Sequence, residues 1–339
     1  MIPSVHIIAE AGSNYNGNLL LAVQLNAVAA RAGADSVKYQ IIHTDALYRR
    51  GDYAYGPYRI EAVRAFRRRD ELTPAEWTEI ADDARRRGME FSASVFDGTG
   101  LDLLCSLNPP YIKVASCDLN NLRFLREVAA RGRKMVVSTG MSTLGDIEKA
   151  VAALEKEGIS GEKLVLLHCV STYPSDLKDT NLSFLQTLRS AFGTAVGFSD
   201  HTLGHEAACI AVALGATWIE KHFTTDQSLD GLDHKHALEP EALAAFVSTI
   251  HAAEAALRPS VVKISPAEII TRQRARRGLY AAKSLPAGHV LTDEDIRIVR
   301  PENGIAADDI DAVVGRILRD PLDAEDALSY AKLESPAAE

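Results

Sequence analysis

The chain has 339 residues, 47% of them hydrophobic, and a net charge of −9 from 37 Lys+Arg against 46 Asp+Glu. That length exceeds one average domain, and the apolar fraction suffices for a substantial core. The acidic balance argues against a nucleic-acid partner, which would need a basic face. The basic runs "RAFRRRD" (64–70) and "ARRRGME" (84–90) fit solvated helix faces. The opening "MIPSVHIIAEAGSN" has no basic n-region and reaches Glu10 early, so no signal peptide is expected. No apolar run approaches the ~20 residues of a membrane helix, so no membrane partner is expected either. Cys105, Cys117, Cys169 and Cys209 show no CxxC spacing, as expected of reduced thiols in a cytoplasmic protein.

Eight short apolar runs appear in order: "VHIIAE" (5–10), "DSVKYQ" (35–40), "MEFSAS" (89–94), "YIKVAS" (111–116), "KMVVST" (134–139), "LVLLHC" (164–169), "AVGFSD" (195–200) and "WIEKHF" (218–223). Amphipathic stretches such as 19–34 and 144–158 lie between them. Near-continuous apolar strands alternating with helices imply a parallel sheet covered on both faces. Eight units in residues 1–257 match an α/β fold of the (β/α)8 TIM-barrel type. A doubly wound open sheet is the alternative, but no GxGxxG follows the first strand. Residues 258–277 are basic, contain two prolines and read as a linker with one short helical turn. Residues 278–335 hold short strands and turns, a β-rich domain too small to bury much by itself.

A barrel places its chemistry at the carboxyl ends of the strands. Polar residues are found there: Glu10; Lys38 and Gln40; Ser94; Lys113 and Ser116; Ser138; Ser171; Ser199 and His201; Glu220, Lys221 and His222. His201 and His222, on neighbouring strands, could converge on one cation or could be two hydrogen-bonded core histidines. Lys38 and Lys113 sit in apolar strands where an unpaired ammonium is costly. A bound anion would satisfy them, and so would a buried acid, Glu10 being the obvious one. The ring of serines adds donors for anionic oxygens. Glu10 could hold a water, act as a base or cap the next helix. Asp233, in "DGLDHKH", and Tyr173, in "STYP", could reach a substrate hydroxyl, and His168 reads as core.

The stretches "IIAEAGSNYNG", "VKYQ", "IKVASCD", "STGM", "HCVSTYP", "GFSDHTLG" and "EKHFT" together resemble the sialic acid synthase (N-acetylneuraminate synthase) family. The segment "GLYAAKSLPAGHVLTDEDIRIVRPENGI" resembles that family's antifreeze-like (SAF) domain. The resemblance implies condensation of phosphoenolpyruvate with an open-chain aldose to give a 2-keto-3-deoxy sugar acid and phosphate. It implies a divalent Mn2+ or Mg2+ ion on His201 and His222. Phosphoenolpyruvate groups match Lys38, Ser94 (a threonine in the family), Lys113, Ser116, Ser138, Ser171 and Ser199. Sugar contacts match Gln40, Tyr173 and Asp233, with Asp118 where the family has glutamate. Arg300 matches an arginine that reaches the partner subunit's site, which implies a domain-swapped homodimer.

The departures from the family pattern gather on the sugar side. Tyr15 replaces a histidine, "SCD" (116–118) replaces "SGE", and "YAYGPYRI" (53–60) stands where an asparagine is expected. Two other readings stay open. One is a synthase whose acceptor is phosphorylated and met by Arg49, Arg50, Arg59 and Arg64. The other is a non-catalytic sugar-binding protein on the same scaffold.

Overall fold

In the computed structural model, residues 4–56, 58–257 and 264–334 are described. Eight parallel strands close into a barrel: β1 (His6–Gly12), β2 (Ser36–Ile41), β3 (Glu90–Val95), β4 (Tyr111–Val114), β5 (Lys134–Ser138), β6 (Leu164–Cys169), β7 (Ala195–Asp200) and β8 (Trp218–His222). Each strand pairs with its sequence neighbours, and β1 closes the ring on β8. All eight runs expected to be strands are strands. The fourth is shorter than expected, because the chain leaves the sheet after Val114 and turns through Ser116–Asp118.

Helices follow the strands and start where the sequence supplies donors' partners. Asn18 caps the helix Leu19–Ala32 by accepting from the Leu20 and Leu21 amides. Thr73 and Thr143 form reciprocal capping boxes with Glu76 and Asp146. The outward side chains of the strands and the inner helix faces form one continuous core, including Trp77, Phe91, Phe198 and Phe246. Inside the barrel, Ile8, Tyr111, Val136, Val165 and Leu167 make a separate apolar layer. That layer underlies the polar ends of the strands and supports what sits above it.

Register levels the functional positions. Glu10 lies opposite Lys38 on one side and His222 on the other, Ser94 opposite Lys113, and Glu220 opposite Ser199. Strand period two then separates neighbours in sequence. Glu220 and His222 face the lumen, whereas Lys221 points outward to a buried ion pair with Asp200 at 2.8 Å. Lys221, grouped by sequence with the strand-end polar residues, therefore belongs to the outer core. A buried ammonium there is tolerable because Asp200 and the carbonyls of Thr202 and Gly204 all accept from it.

The chain divides into two compact units at residues 258/259. Where the sequence suggests one short helical turn in 258–277, the structure has a ten-residue helix, Pro266–Ala275, started by a Ser265–Glu268 capping box. Linker residues 258–263 and residue 335 lie outside the described residues. The C-terminal unit has an antiparallel pair, β9 (Gly278–Ala281) and β10 (Ile296–Val299). Its small core comprises Leu279, Ala281, Leu285, Leu291, Ile305 and Val313 among others.

Candidate active site

The carboxyl ends of the strands surround a cavity of about 350 Å3. Glu10, Lys38, Gln40, Ser94, Lys113, Ser116, Ser138, Ser171, Tyr173, Ser199, His201 and His222 all line it. With Glu220, which lines it too, thirteen of the residues named from the sequence are thus brought together.

Two ammonium groups dominate, and their surroundings differ. Lys38 Nζ lies 2.6 Å from Glu10 Oε2 and 3.6 Å from Glu220 Oε2, and donates to Ser94 Oγ at 3.0 Å. The buried-acid explanation of Lys38 is therefore realised. Burial opposes its charge, but Glu10 and Glu220 outweigh that and hold its pKa above the ordinary lysine value. Lys113 donates only to Ser138 Oγ at 2.7 Å and to the Val114 carbonyl at 3.1 Å. Among the described residues no carboxylate comes within ion-pair distance of it, and burial pushes its pKa down. Glu220 and Glu10 favour its charge from beyond ion-pair distance but do not offset burial, and an anionic ligand in contact would relieve that cost.

The two carboxylates are driven apart. Burial, reinforced by Glu220 and opposed by Lys38, raises the Glu10 carboxyl to about 7. Burial also disfavours the Glu220 anion, but Lys113 and Lys38, together with the Ser199 hydroxyl at 2.8 Å, overcome it and hold Glu220 at about 2. Glu10 can therefore exchange a proton near neutrality, while Glu220 remains a fixed negative charge.

Beyond Lys113, three small polar side chains meet around Gly140. The Gly140 amide donates to Ser116 Oγ at 3.0 Å, and Ser116 Oγ lies 3.2 Å from Cys169 Sγ. A Cβ at Gly140 would come within 2.4 Å of Ser171 Oγ, 2.7 Å of Cys169 Sγ and 2.9 Å of Ser116 Oγ. This concave cluster of donors is suited to anionic oxygens, and glycine is what keeps it open.

Opposite stand the histidines, with ring centroids 5.8 Å apart. His201 Nδ1 is 2.7 Å from the Val170 carbonyl and donates to it, so the lone pair is on Nε2. Burial, then His222, lowers the His201 pKa to about 4, and burial lowers that of His222. Both rings are neutral at neutral pH, as metal ligands must be. His222 Nδ1 is buried without a hydrogen-bond partner. Two neutral imidazoles, one with an orphaned buried nitrogen, fit a first-row divalent cation whose other positions fall to water or substrate oxygens. Among the described residues there is no cluster of three or more His, Cys, Asp or Glu placed to hold an ion.

Tyr173 packs over His201 with ring centroids 4.1 Å apart. Gln40 Nε2 donates to Glu10 Oε1 at 3.3 Å. Gly12, at φ +56°, leaves open the space where Asp233 Oδ2, Gln40 Nε2 and His222 Cε1 converge, at 3.1, 3.5 and 3.5 Å from a Cβ built there. Asp233 also accepts from Ser13 Oγ at 3.5 Å.

Three more residues named from the sequence lie as follows. Asp118 does not line the cavity; Cys117, one residue earlier, does. Tyr15 is buried in the outer core against Tyr39 and Trp77, with its hydroxyl donating to the Gln40 carbonyl, so its departure from the family pattern acts at one remove. Arg300 belongs to the C-terminal unit, exposed just after β10. His168, as expected, is core and donates to the Thr180 carbonyl. The main omission is Glu220, which had no assigned role. Its spacing of two from His222 on one strand was the available signal. Gly140, Cys169 and Tyr55 were also missed.

The NeuB family model matches residues 25–261, and the SAF domain model matches residues 276–334. The chain is 36% identical to the N,N'-diacetyllegionaminic acid synthase of Campylobacter jejuni, covering 92% of this chain and 95% of that protein. It is 32% identical to the N-acetylneuraminate-9-phosphate synthase of Drosophila melanogaster, covering 94% and 93%. The crystal structure of the N-acetylneuraminic acid synthetase of Leptospira borgpetersenii, in complex with citrate, superposes with a TM-score of 0.71 at 32% identity, covering 79% of this chain and 90% of that one. The chain is a member of the NeuB family, a TIM barrel followed by a SAF domain.

Proposed function

We propose that the barrel condenses phosphoenolpyruvate with the aldehyde of an open-chain aldose, releasing phosphate and a 2-keto-3-deoxy sugar acid of the sialic acid type. The observation that carries this reading is Lys113, a buried cation with hydroxyl and carbonyl partners only, beside the serine cluster at Gly140. One dianionic, carboxylate-bearing small molecule satisfies Lys113, Ser116, Ser138 and Ser171 together, with Lys38, Ser94 and Ser199 completing its surroundings. The names of the two relatives above, both sugar-acid synthases, support the same chemistry.

C3 of the enol attacks the aldehyde carbon; the carbon–carbon bond forms as the carbonyl π bond breaks, the former aldehyde oxygen takes up a proton to become a hydroxyl, and positive charge falls on C2. Water adds to C2, its proton passes to a base, and the tetrahedral intermediate expels phosphate as the ketone forms. Glu10, with a carboxyl near 7, takes that proton, and Glu220, a fixed anion lining the same cavity, favours the cationic carbon. The lysines and serines hold the enol ester in attack geometry. His201 and His222 would hold Mn2+ or Mg2+, which when bound draws charge from the aldehyde oxygen. Gln40, Tyr173 and Asp233 orient the sugar hydroxyls.

A domain-swapped homodimer, with Arg300 completing the partner's site, belongs to the same reading, as does a cytoplasmic setting. It is supported by the resemblance of the C-terminal unit and by Arg300's exposure. Among the described residues no helix is long and apolar enough to cross a membrane. The test is phosphate release from phosphoenolpyruvate with Mn2+ across phosphorylated and unphosphorylated aldoses, with the product mass measured. Turnover with an aldose, giving a product equal to the sum of both substrates plus water minus phosphoric acid, is expected. Silence across the panel with no metal bound would overturn the enzyme reading.

A further inference from the structure

A second cavity, of about 370 Å3, adjoins the catalytic one and shares Gln40, Tyr55, Ala115 and Cys117 with it. Its character is different. The catalytic cavity is walled by two lysines and a set of serines, whereas the second is walled mainly by Ile42, Leu47, Tyr48, Tyr53, Tyr55 and Phe96. Tyr55, half exposed, packs edge-on against Tyr48 with ring centroids 5.6 Å apart and lines both spaces at the neck between them. Cys117 faces it there, its thiol pushed up to about 11 by burial and then by Asp118, so it presents a neutral wall at neutral pH.

The neck lies beside Gln40, and so on the sugar side of Glu10 and the histidines. The charged end of the catalytic cavity is taken by the enol ester under the reading above, on which this inference rests. The acceptor's chain, held by its aldehyde, must then run toward the neck.

The charges at the second cavity argue about what arrives. Arg64, one of the arginines that could meet a phosphate, is buried and spent on its own segment. It donates to the Arg49 and Tyr48 carbonyls at 2.7 and 3.3 Å and pairs with Glu61. Arg59 pairs with Asp52, and Arg68 with Asp45. Only Arg49 and Arg67 line the cavity. Arg49 lies over the Tyr53 ring at 4.1 Å. Arg67 donates to Ser13 Oγ at 3.1 Å, whose hydroxyl in turn donates to Asp233, and it acts on Asp70 as a neighbouring charge. Among the described residues no lysine, serine or threonine joins them in the lining. A phosphate would meet two guanidiniums without an ion pair among the described residues, one over the Tyr53 ring and one donating to Ser13, and an aromatic wall in place of the hydroxyl cradle at Gly140.

We propose that this aromatic compartment seats the end of the acceptor remote from its aldehyde, that it selects an uncharged tail carrying a methyl or acyl group over a phosphorylated one, and that Tyr55 and Cys117 at the neck are the specificity-determining residues. The rings cover the apolar group, and the free N–H groups of Arg67 and Arg49 serve a neutral carbonyl.

The test uses the full-length protein with Mn2+ and phosphoenolpyruvate. Three acceptors are compared by kcat/KM: N-acetylmannosamine, its 6-phosphate, and a 2,4-diacetamido-6-deoxyhexose. The uncharged acceptors are expected to exceed the 6-phosphate at least about tenfold. Tyr55→Ala and Cys117→Asp should each raise the KM for the better uncharged acceptor about tenfold while moving the KM for phosphoenolpyruvate less than about twofold. That second constant also reports that the barrel is intact. A preference for the 6-phosphate, or an unchanged acceptor KM in both variants, would overturn the inference and leave the synthase reading standing. No turnover with any acceptor would overturn both.

Discussion

Lys113 donates to Ser138 Oγ at 2.7 Å across the β4–β5 pair, and this hydroxyl is its closest partner. The pair holds a charge in the lumen that Glu220 and Glu10 balance only from a distance, since no carboxylate among the described residues comes within ion-pair distance. Lys113→Met removes that charge and should lower kcat/KM for phosphoenolpyruvate by about a hundredfold or more. The figure corresponds to losing one or two hydrogen bonds to a charged group at about 1.5–3 kcal/mol each. Tm reports the fold separately, because the same change also removes a cation that stabilises the buried Glu220 anion. A fall in Tm together with intact kinetics would mean that Lys113 serves the fold, not the ligand.

Gly140 makes a complementary prediction about shape. Alanine would put a methyl within 2.4 Å of Ser171 Oγ and 2.7 Å of Cys169 Sγ. The side chains around it must shift, and the space for anionic oxygens closes. Gly140→Ala should raise the KM for phosphoenolpyruvate at least about tenfold, with the acceptor KM changed far less. Equal effects on both substrates would show a general distortion of the barrel.

The histidines predict metal dependence with a readout independent of turnover. Chelation should abolish phosphate release and added Mn2+ should restore it. Equilibrium dialysis or electron paramagnetic resonance should find one tight Mn2+ per chain, lost in both His201→Ala and His222→Ala. Binding that survives in the double variant would place the ion elsewhere.

Much of this was legible because a strand has period two and a barrel has one functional end. Eight apolar runs gave the strands, and polar residues at their exits gave twelve wall residues of the cavity. Facing was harder. Glu220, Lys221 and His222 are consecutive, and only a commitment to His222 inward sends Glu220 inward and Lys221 out. The loops carry no period at all. Hence nothing in the sequence showed that Tyr15 turns into the core, or that Cys117 takes the place at the cavity expected of Asp118. The helix Pro266–Ala275 was hidden for another reason. Its start, "SPAE", holds both a capping box and a proline at the first turn, but the basic, proline-containing composition around it suggested a linker.

The outward side of β8 offers a stability test. Lys221 and Asp200 are both almost fully buried and 2.8 Å apart, and Asp200 also accepts from the Thr202 amide and hydroxyl. Asp200→Ala strands an ammonium in the core and should destabilise by about 3–5 kcal/mol, as breaking a buried pair from one side does. Adding Lys221→Met should recover much of that, since the desolvated charge is then gone. Denaturant unfolding of the single and double variants measures both. If the double variant were as unstable as the single, the loss would lie in the Thr202 bonds and not in the stranded lysine.

In the C-terminal unit, acid sensitivity should centre on Asp295. Its buried carboxylate accepts from His289 Nε2 at 2.8 Å, Lys283 Nζ at 2.9 Å, and the Thr292 amide and hydroxyl at 3.0 and 2.8 Å. The His289 hydrogen bond, ahead of Lys283 and Thr292 and against the opposing effect of burial, holds the carboxyl far below the usual aspartate value. A carboxyl depressed in the folded state adds stability that is fully present above its unfolded pKa of about 3.9 and is lost as pH falls toward the folded value. Protection against hydrogen exchange, corrected for the intrinsic rate at each pH, should therefore fall in residues 278–334 of the full chain between about pH 5 and pH 2. Asp295→Asn should already exchange faster at pH 6, by about tenfold, and should change less on acidification because it has no such proton to gain. The same acid dependence in both proteins would place the sensitive group elsewhere in the unit.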